Sequence, residues 1–167
     1  YTADVSISKI ANRVGAYERW KENINVLLGK LKESVPNAKH IYFTTTPYDD
    51  TAVVTNIPPG TKGWSTKNQI GCNVGLSMMA GHIANKAAAD KVTYVDFYTP
   101  LNSFLVRHQK DDPHFMMTKY DRVHPLPLGH TIMAWKFLET QRVSPFVSDV
   151  LVDVKELKSV RRINAKV

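Results

Sequence analysis

Apolar residues at Ile10, Val14, Tyr17, Ile24, Leu27, Leu28 and Leu31 are separated by Lys, Arg, Glu and Asn at the spacing of one helical face. This predicts a helix over residues 10–31, stopped by Pro36-Asn37. His40-Ile41-Tyr42-Phe43-Thr44-Thr45-Thr46 is β-branched and aromatic and predicts a strand closed by Pro47. Tyr48-Asp49-Asp50, Pro58-Pro59-Gly60 and Gly63 supply the turn and breaker residues of a long loop. A second helix is predicted over 68–91, with Ile70, Val74, Met78, Ile83, Ala84, Ala87 and Ala88 near one side and Ser65 or Thr66 as its cap.

Val92-Thr93-Tyr94-Val95-Asp96 predicts a short strand leading through Thr99-Pro100 into a helix over 101–107. A further helix is predicted over 128–141, patterned by Ile132, Trp135, Phe137 and Leu138. Strands alternating with helices argue for an α/β fold with a parallel sheet flanked by helices. After Gln141 the pattern changes: Val147, Val150, Val152 and Val154 alternate with other residues as in a strand, and a basic tail follows. The expected division is therefore 1–142 for the α/β body and 143–167 for an appended strand and tail.

Composition narrows the function classes. With 167 residues, 43% hydrophobic and 22% charged, the chain is long and apolar enough to bury roughly 70% of the surface exposed on unfolding. No apolar run reaches eighteen residues, so no membrane span is expected. The net charge of +7 raises the question of an anionic partner. The cations are scattered, however, and the one cluster, Lys155, Lys158, Arg161, Arg162 and Lys166, reads as a solvated face, so no nucleic-acid partner is expected. The single Cys72 excludes an internal disulfide and reads as a small buried helix residue.

The candidate chemistry lies in Asp121-Arg122-Val123-His124-Pro125, followed by Leu128-Gly129-His130. If this segment turns, the Asp121 carboxylate reaches the Nδ1–H of His124 and fixes its tautomer, leaving Nε2 to take a proton from a nucleophile. Pro125 sets the exit direction, and Gly129 lets backbone approach closely. On spacing alone a capped helix entry with a solvated His fits as well, and Asp111-Asp112-Pro113-His114 repeats the spacing. His114, Asp121, His124 and His130 match no familiar zinc spacing, and neither a metal nor another cofactor is expected.

The 121–125 segment, with Gly129-His130, Met133-Ala134 and the helix to Gln141, resembles the last conserved block of the SGNH (GDSL) hydrolases, which are esterases and lipases. Thr44-Thr45-Thr46-Pro47-Tyr48-Asp49-Asp50 is similar to a strand and loop beside that family's pocket, and Val92–Asp96 to a later strand. The resemblance covers roughly residues 15–141. It implies a flavodoxin-like three-layer sandwich with a parallel sheet, His124 as general base, Asp121 as its orienting partner, and Tyr48 and Asp49 bordering the substrate pocket. The implied substrate is a small-molecule, carbohydrate or lipid ester.

The family's Gly-Asp-Ser, its second-block Gly and its Gly-x-Asn-Asp have no counterpart in the chain. The expectation is that an N-terminal portion of the same domain, with two or three strands and these three residues, lies outside the 167 residues. The chain alone is then expected to fold poorly, through unpaired sheet edges, and to be inactive. The rival expectation is a non-catalytic carbohydrate-binding or assembly module of the same fold, with Tyr42, Tyr48, Trp64 and Tyr98 lining its site.

Overall fold

The computed structural model describes residues 7–52, 71–144, 148–156 and 158–164. Four helices and four strands follow in the order α1 (Ile7–Ser34), β1 (Ile41–Phe43), α2 (Cys72–Asp90), β2 (Thr93–Val95), α3 (Tyr98–His108), α4 (Pro127–Thr140), β3 (Asp149–Asp153) and β4 (Lys158–Ile163). β1 and β2 pair in parallel, Ile41 opposite Thr93 and Phe43 opposite Val95, with α2 crossing between them. The described part of this sheet has these two strands.

Side-chain alternation along β1 builds three layers. Tyr42 points to one face, where it packs with Leu28 of α1 and Ile83 and Ala87 of α2, flanked by Trp20, Ile24, Val92 and Tyr94. Phe43 points the other way and stacks on Phe97 and on Phe137 of α4, with ring centroids 5.4 and 6.1 Å apart. On that second side Leu101 and Leu105 of α3 close with Met117 over Phe104, Phe115, Ile132 and Met133. Full burial of one such aliphatic side chain contributes about 1.5–3 kcal/mol, so the two clusters hold the helices to the sheet.

The strand predicted over 40–46 is shorter than expected because Thr44 changes employment. Its amide still bonds to Val95 O (3.1 Å), but its hydroxyl accepts from the amides of Phe97 and Tyr98, both at 2.8 Å. These amides begin α3 and have no partner inside the helix, so a residue on a neighbouring strand satisfies them. The predicted start of α2 at Asn68 and its Ser65 or Thr66 cap lie outside the described residues. Its N-cap is Gly71, at φ 87°, where a glycine is at ease.

The C-terminal segment departs from the expectation of one strand and a basic tail. Lys158, Ser159, Val160, Arg161, Arg162 and Ile163 form β4, which pairs antiparallel with β3, so the tail is the second arm of a hairpin and not a free end. The hairpin is a sheet separate from β1–β2. Leu151, Val152, Val154 and Val160 are all exposed.

A charged cluster ties the far end of the body together. Asp90, at the end of α2 and 10% exposed, accepts from Lys32 Nζ (2.8 Å), Lys86 Nζ (2.9 Å) and the Tyr42 hydroxyl (2.7 Å). Burial pushes the Asp90 carboxyl up, but these three donors outweigh it and hold the group well below the usual carboxylate range. Burial and the Asp90 contact push the Tyr42 phenol up to about 12.

Two outcomes are expected. Asp90→Asn lowers stability by about 1–3 kcal/mol in urea titrations near neutrality. Because the folded carboxyl is depressed, this difference from the parent is constant above the unfolded value of 3.8 and shrinks as pH falls below it. Removal of residues 143–167 shifts the melting temperature of the helix-and-sheet body by no more than about 2 °C, since the hairpin adds little to either core.

Candidate active site

The segment between α3 and α4 doubles back on itself. Lys119 N bonds to His124 O (2.8 Å), Leu126 N to Met117 O (2.7 Å), and Thr118 bridges Pro125. Asp121 and His124 occupy the tip of this loop. Asp121 Oδ1 accepts from the amides of Val123 (3.0 Å) and His124 (2.9 Å), which fixes the carboxylate against its own backbone. Its second oxygen, Oδ2, lies 2.6 Å from His124 Nδ1.

Burial pushes the Asp121 carboxyl up, yet the two backbone amides and the imidazole outweigh it and hold the group below its ordinary value. An ionised carboxylate accepts only, so the Nδ1 of a neutral His124 carries the proton and Nε2 carries a lone pair. The His124 side chain is 68% exposed against 14% for Asp121. Among the described residues Asp121 is the hydrogen-bond partner of the ring, and no serine hydroxyl touches it. The arrangement is that of an exposed imidazole tethered through Nδ1 to a largely buried carboxylate.

Packing sets where this tip stands. Pro127 opens α4 at a position where no amide partner is lost, and His130 sits in the first turn with its amide on Leu126 O (3.0 Å). Gly129 is buried beneath the loop: a Cβ there would stand 2.9 Å from Pro125 Cβ and 3.2 Å from Met117 O. Arg122, within the tip, is 4% exposed at φ 66°. Its carbonyl accepts from Asp49 N (3.0 Å) and its Nη1 donates to Asp49 O (2.9 Å). The loop after β1 is thereby stitched to the tip.

Tyr48 and Asp49 stand differently from a pair that borders an open pocket. They are 3% and 0% exposed. Asp49 Oδ1 accepts from Ala52 N (2.9 Å), and both carboxylate oxygens accept from Gln109 Nε2 at 3.0 Å. Tyr48 N donates to Asn73 Oδ1 (3.1 Å), and Asn73 Nδ2 to Asn102 Oδ1 (2.7 Å). These side chains join the loop after β1 to α2 and α3 at the carboxyl ends of the strands.

The aromatic set of the rival reading is dispersed. Tyr42 is buried on Asp90, Tyr48 is interior, the Tyr98 hydroxyl faces Asn73 O (3.4 Å), and Trp64 lies outside the described residues. In the Asp111–His114 turn, the His114 amide bonds to Asp112 Oδ1 (2.9 Å). No group of three His, Cys, Asp or Glu poised for a metal occurs among the described residues, and none of their helices is long and apolar enough to cross a membrane. Arg122 and Gln109 escaped the sequence reading. Their partner Asp49 is 73 and 60 residues away, and neither has a local signature.

The model of the GDSL-like lipase/acylhydrolase family matches residues 2–137. The chain belongs to this family. The match covers α1 to most of α4, and the parallel pair between helical layers is the SGNH α/β fold expected from the resemblance. No curated protein sequence matches at a significant level. Among solved structures, a gut microbial diltiazem-metabolizing enzyme is similar, with a TM-score of 0.75 and 22% identity over 90% of this chain and 32% of that one. The esterase domain of the ORF1 protein from the zebrafish ZfL2-1 retrotransposon is similar at a TM-score of 0.50 and 13% identity, over 77% of this chain and 60% of that domain. Both likenesses are of fold. The GDSL chain spans about a third of the first neighbour's length.

Gly129→Ala is expected to force Pro125 or the Met117 peptide to move, since neither contact is the end of a flexible side chain. A loss of about 1–3 kcal/mol in chemical denaturation is expected. Unchanged stability would mean that the loop yields freely.

Proposed function

We propose that the GDSL chain supplies the base and its orienting carboxylate to a serine ester hydrolase. The nucleophilic serine, with the oxyanion donors, comes from an N-terminal portion of the same domain outside the 167 residues. The observation that carries this reading is the 2.6 Å contact from Asp121 Oδ2 to Nδ1 of His124, whose side chain is largely exposed. Family membership supports ester chemistry in general. The share of the neighbour's length that the chain spans, and the serine-free surroundings of His124 among the described residues, support a nucleophile supplied from elsewhere.

In this mechanism the serine Oγ attacks the ester carbonyl as Nε2 of His124 takes its proton, giving a tetrahedral oxyanion and an imidazolium. Asp121, ionised because of its amide donors, stabilises that imidazolium without taking its proton. The imidazolium returns the proton to the departing alcohol. Water, deprotonated by the same Nε2, then cleaves the acyl-serine, and the carboxylic acid leaves. Tyr48 and Asp49 form the wall behind this centre, with Asp49 acting through Arg122 and Gln109. Residues 1–142 carry the chemistry, and residues 143–167, which include the β3–β4 hairpin, are an appendage. The substrate is a carboxylic ester of a small molecule, carbohydrate or lipid.

In the protein that includes the N-terminal portion, Asp121→Asn is expected to lower turnover of a short-chain ester by about 10⁴-fold, as loss of an orienting Asp does in such triads. A fluorophosphonate probe, read by peptide mapping, is expected to mark a serine outside Tyr1–Val167. An adduct on a serine within the chain would overturn the external nucleophile, and near-full turnover in Asp121→Asn would remove Asp121 from the mechanism.

A further inference from the structure

Arg122 stands between the members of the base pair and touches neither in a way that serves the chemistry directly. It is nevertheless the most strained and least satisfied residue of the tip. Its φ of 66° is a conformation that glycine holds without penalty and a long side chain does not. Its guanidinium is buried, and Nε has no hydrogen-bond partner among the described residues. An apolar side chain would fill the same space without leaving a donor unpaired. Strain and unsatisfied burial at one position are tolerated where the geometry they enforce serves a site.

That geometry is a two-point grip on Asp49 together with a bond that closes the tip. Arg122 N bonds to Lys119 O (2.8 Å) and closes the tip, Arg122 O takes the Asp49 amide (3.0 Å), and Nη1 takes the Asp49 carbonyl (2.9 Å). Asp49 is itself immobilised through its carboxylate by Gln109, just beyond α3, and by the amide of Ala52. The 2.6 Å bond within the pair orients the His124 ring relative to Asp121 only. Where the pair stands relative to the strand ends is set by this second linkage.

Resting on the assignment of Asp121 and His124 as the base pair, we propose that Arg122 is a positioning residue. It locks the tip to the Asp49 loop, so that Nε2 of His124 is held at the distance at which it meets the nucleophile. Its loss leaves the base formed but misplaced. A displacement of about 1 Å costs on the order of 10²-fold in rate when the reacting groups themselves are intact.

The test uses the protein that includes its nucleophile-bearing portion and compares Arg122→Met, Arg122→Lys, Asp121→Asn and Ile83→Ala, the last in the core on the opposite face of the sheet. For Arg122→Met, kcat is expected to fall on the order of 10²-fold with KM within about 3-fold, the signature of an interaction realised in the transition state. The downfield proton resonance of His124 Nδ1 persists, because the Asp121 bond lies within the tip. Arg122→Lys, which keeps one donor, recovers kcat to within about 10-fold of the parent. Ile83→Ala lowers the melting temperature and leaves kcat unchanged below it.

Parent-like kcat in Arg122→Met, while Asp121→Asn is inactive, would overturn the proposal and spare the base assignment. Loss of kcat together with the Nδ1 resonance would also overturn it, since the tip would then have unfolded and the role would be structural. Full activity in Asp121→Asn would fail the base assignment itself. Should Arg122→Met not fold, Arg122→Gln, too short to reach the Asp49 carbonyl as Nη1 does, decides: a loss of kcat with the resonance kept supports positioning, and parent-like kcat overturns it.

Discussion

Around Asp49 the backbone is held on both sides by a single partner. Its amide and its carbonyl both bond to Arg122, and its carboxylate binds the Gln109 side chain and the chain's own next turn. The loop after β1, the end of α3 and the tip before α4 therefore meet at one buried residue. The loop and the tip are irregular, with little helix or strand ladder to satisfy their polar groups. Buried backbone without a ladder needs such substitutes. Here they come from a carboxylate and a guanidinium that serve as scaffold beside the carboxylate and imidazole of the tip.

What was legible in the sequence follows from how local the cause was. The helices came through because α1, α2 and α4 each carry enough turns for a 3.6-residue period to repeat. The Asp121–His124 contact was legible because both members lie in one turn, and Gly129 because a close approach was its plain use. Lengths and roles that depend on distant partners did not. Thr44 reads as a strand residue by propensity, but its hydroxyl serves α3, 53 residues on. Lys158, Arg161 and Arg162 read as a solvated tail by charge. Yet β4 forms because pairing with β3 outweighs a run of cations, and one of them, Arg161, is matched by Asp149 (2.5 Å).

Tyr48 and Asp49 illustrate a different limit. Position at a strand's carboxyl end marks the site-bearing side of an α/β sheet, and Asp49 bonds there to Arg122 of the tip. Position does not say which way a side chain points. Asp49 turns inward because two backbone amides and Gln109 offer donors there, and nothing in a one-dimensional pattern encodes Gln109 sixty residues later.

The bridge between Thr118 and Pro125 closes the tip into a short cassette that contains the carboxylate, the imidazole and the two amides that orient them. Breathing of the helical layers against the sheet would carry these groups as one piece. The orientation of the ring and its placement against the rest of the fold are thus set by separate contacts, the first inside the cassette and the second through Arg122 and Asp49.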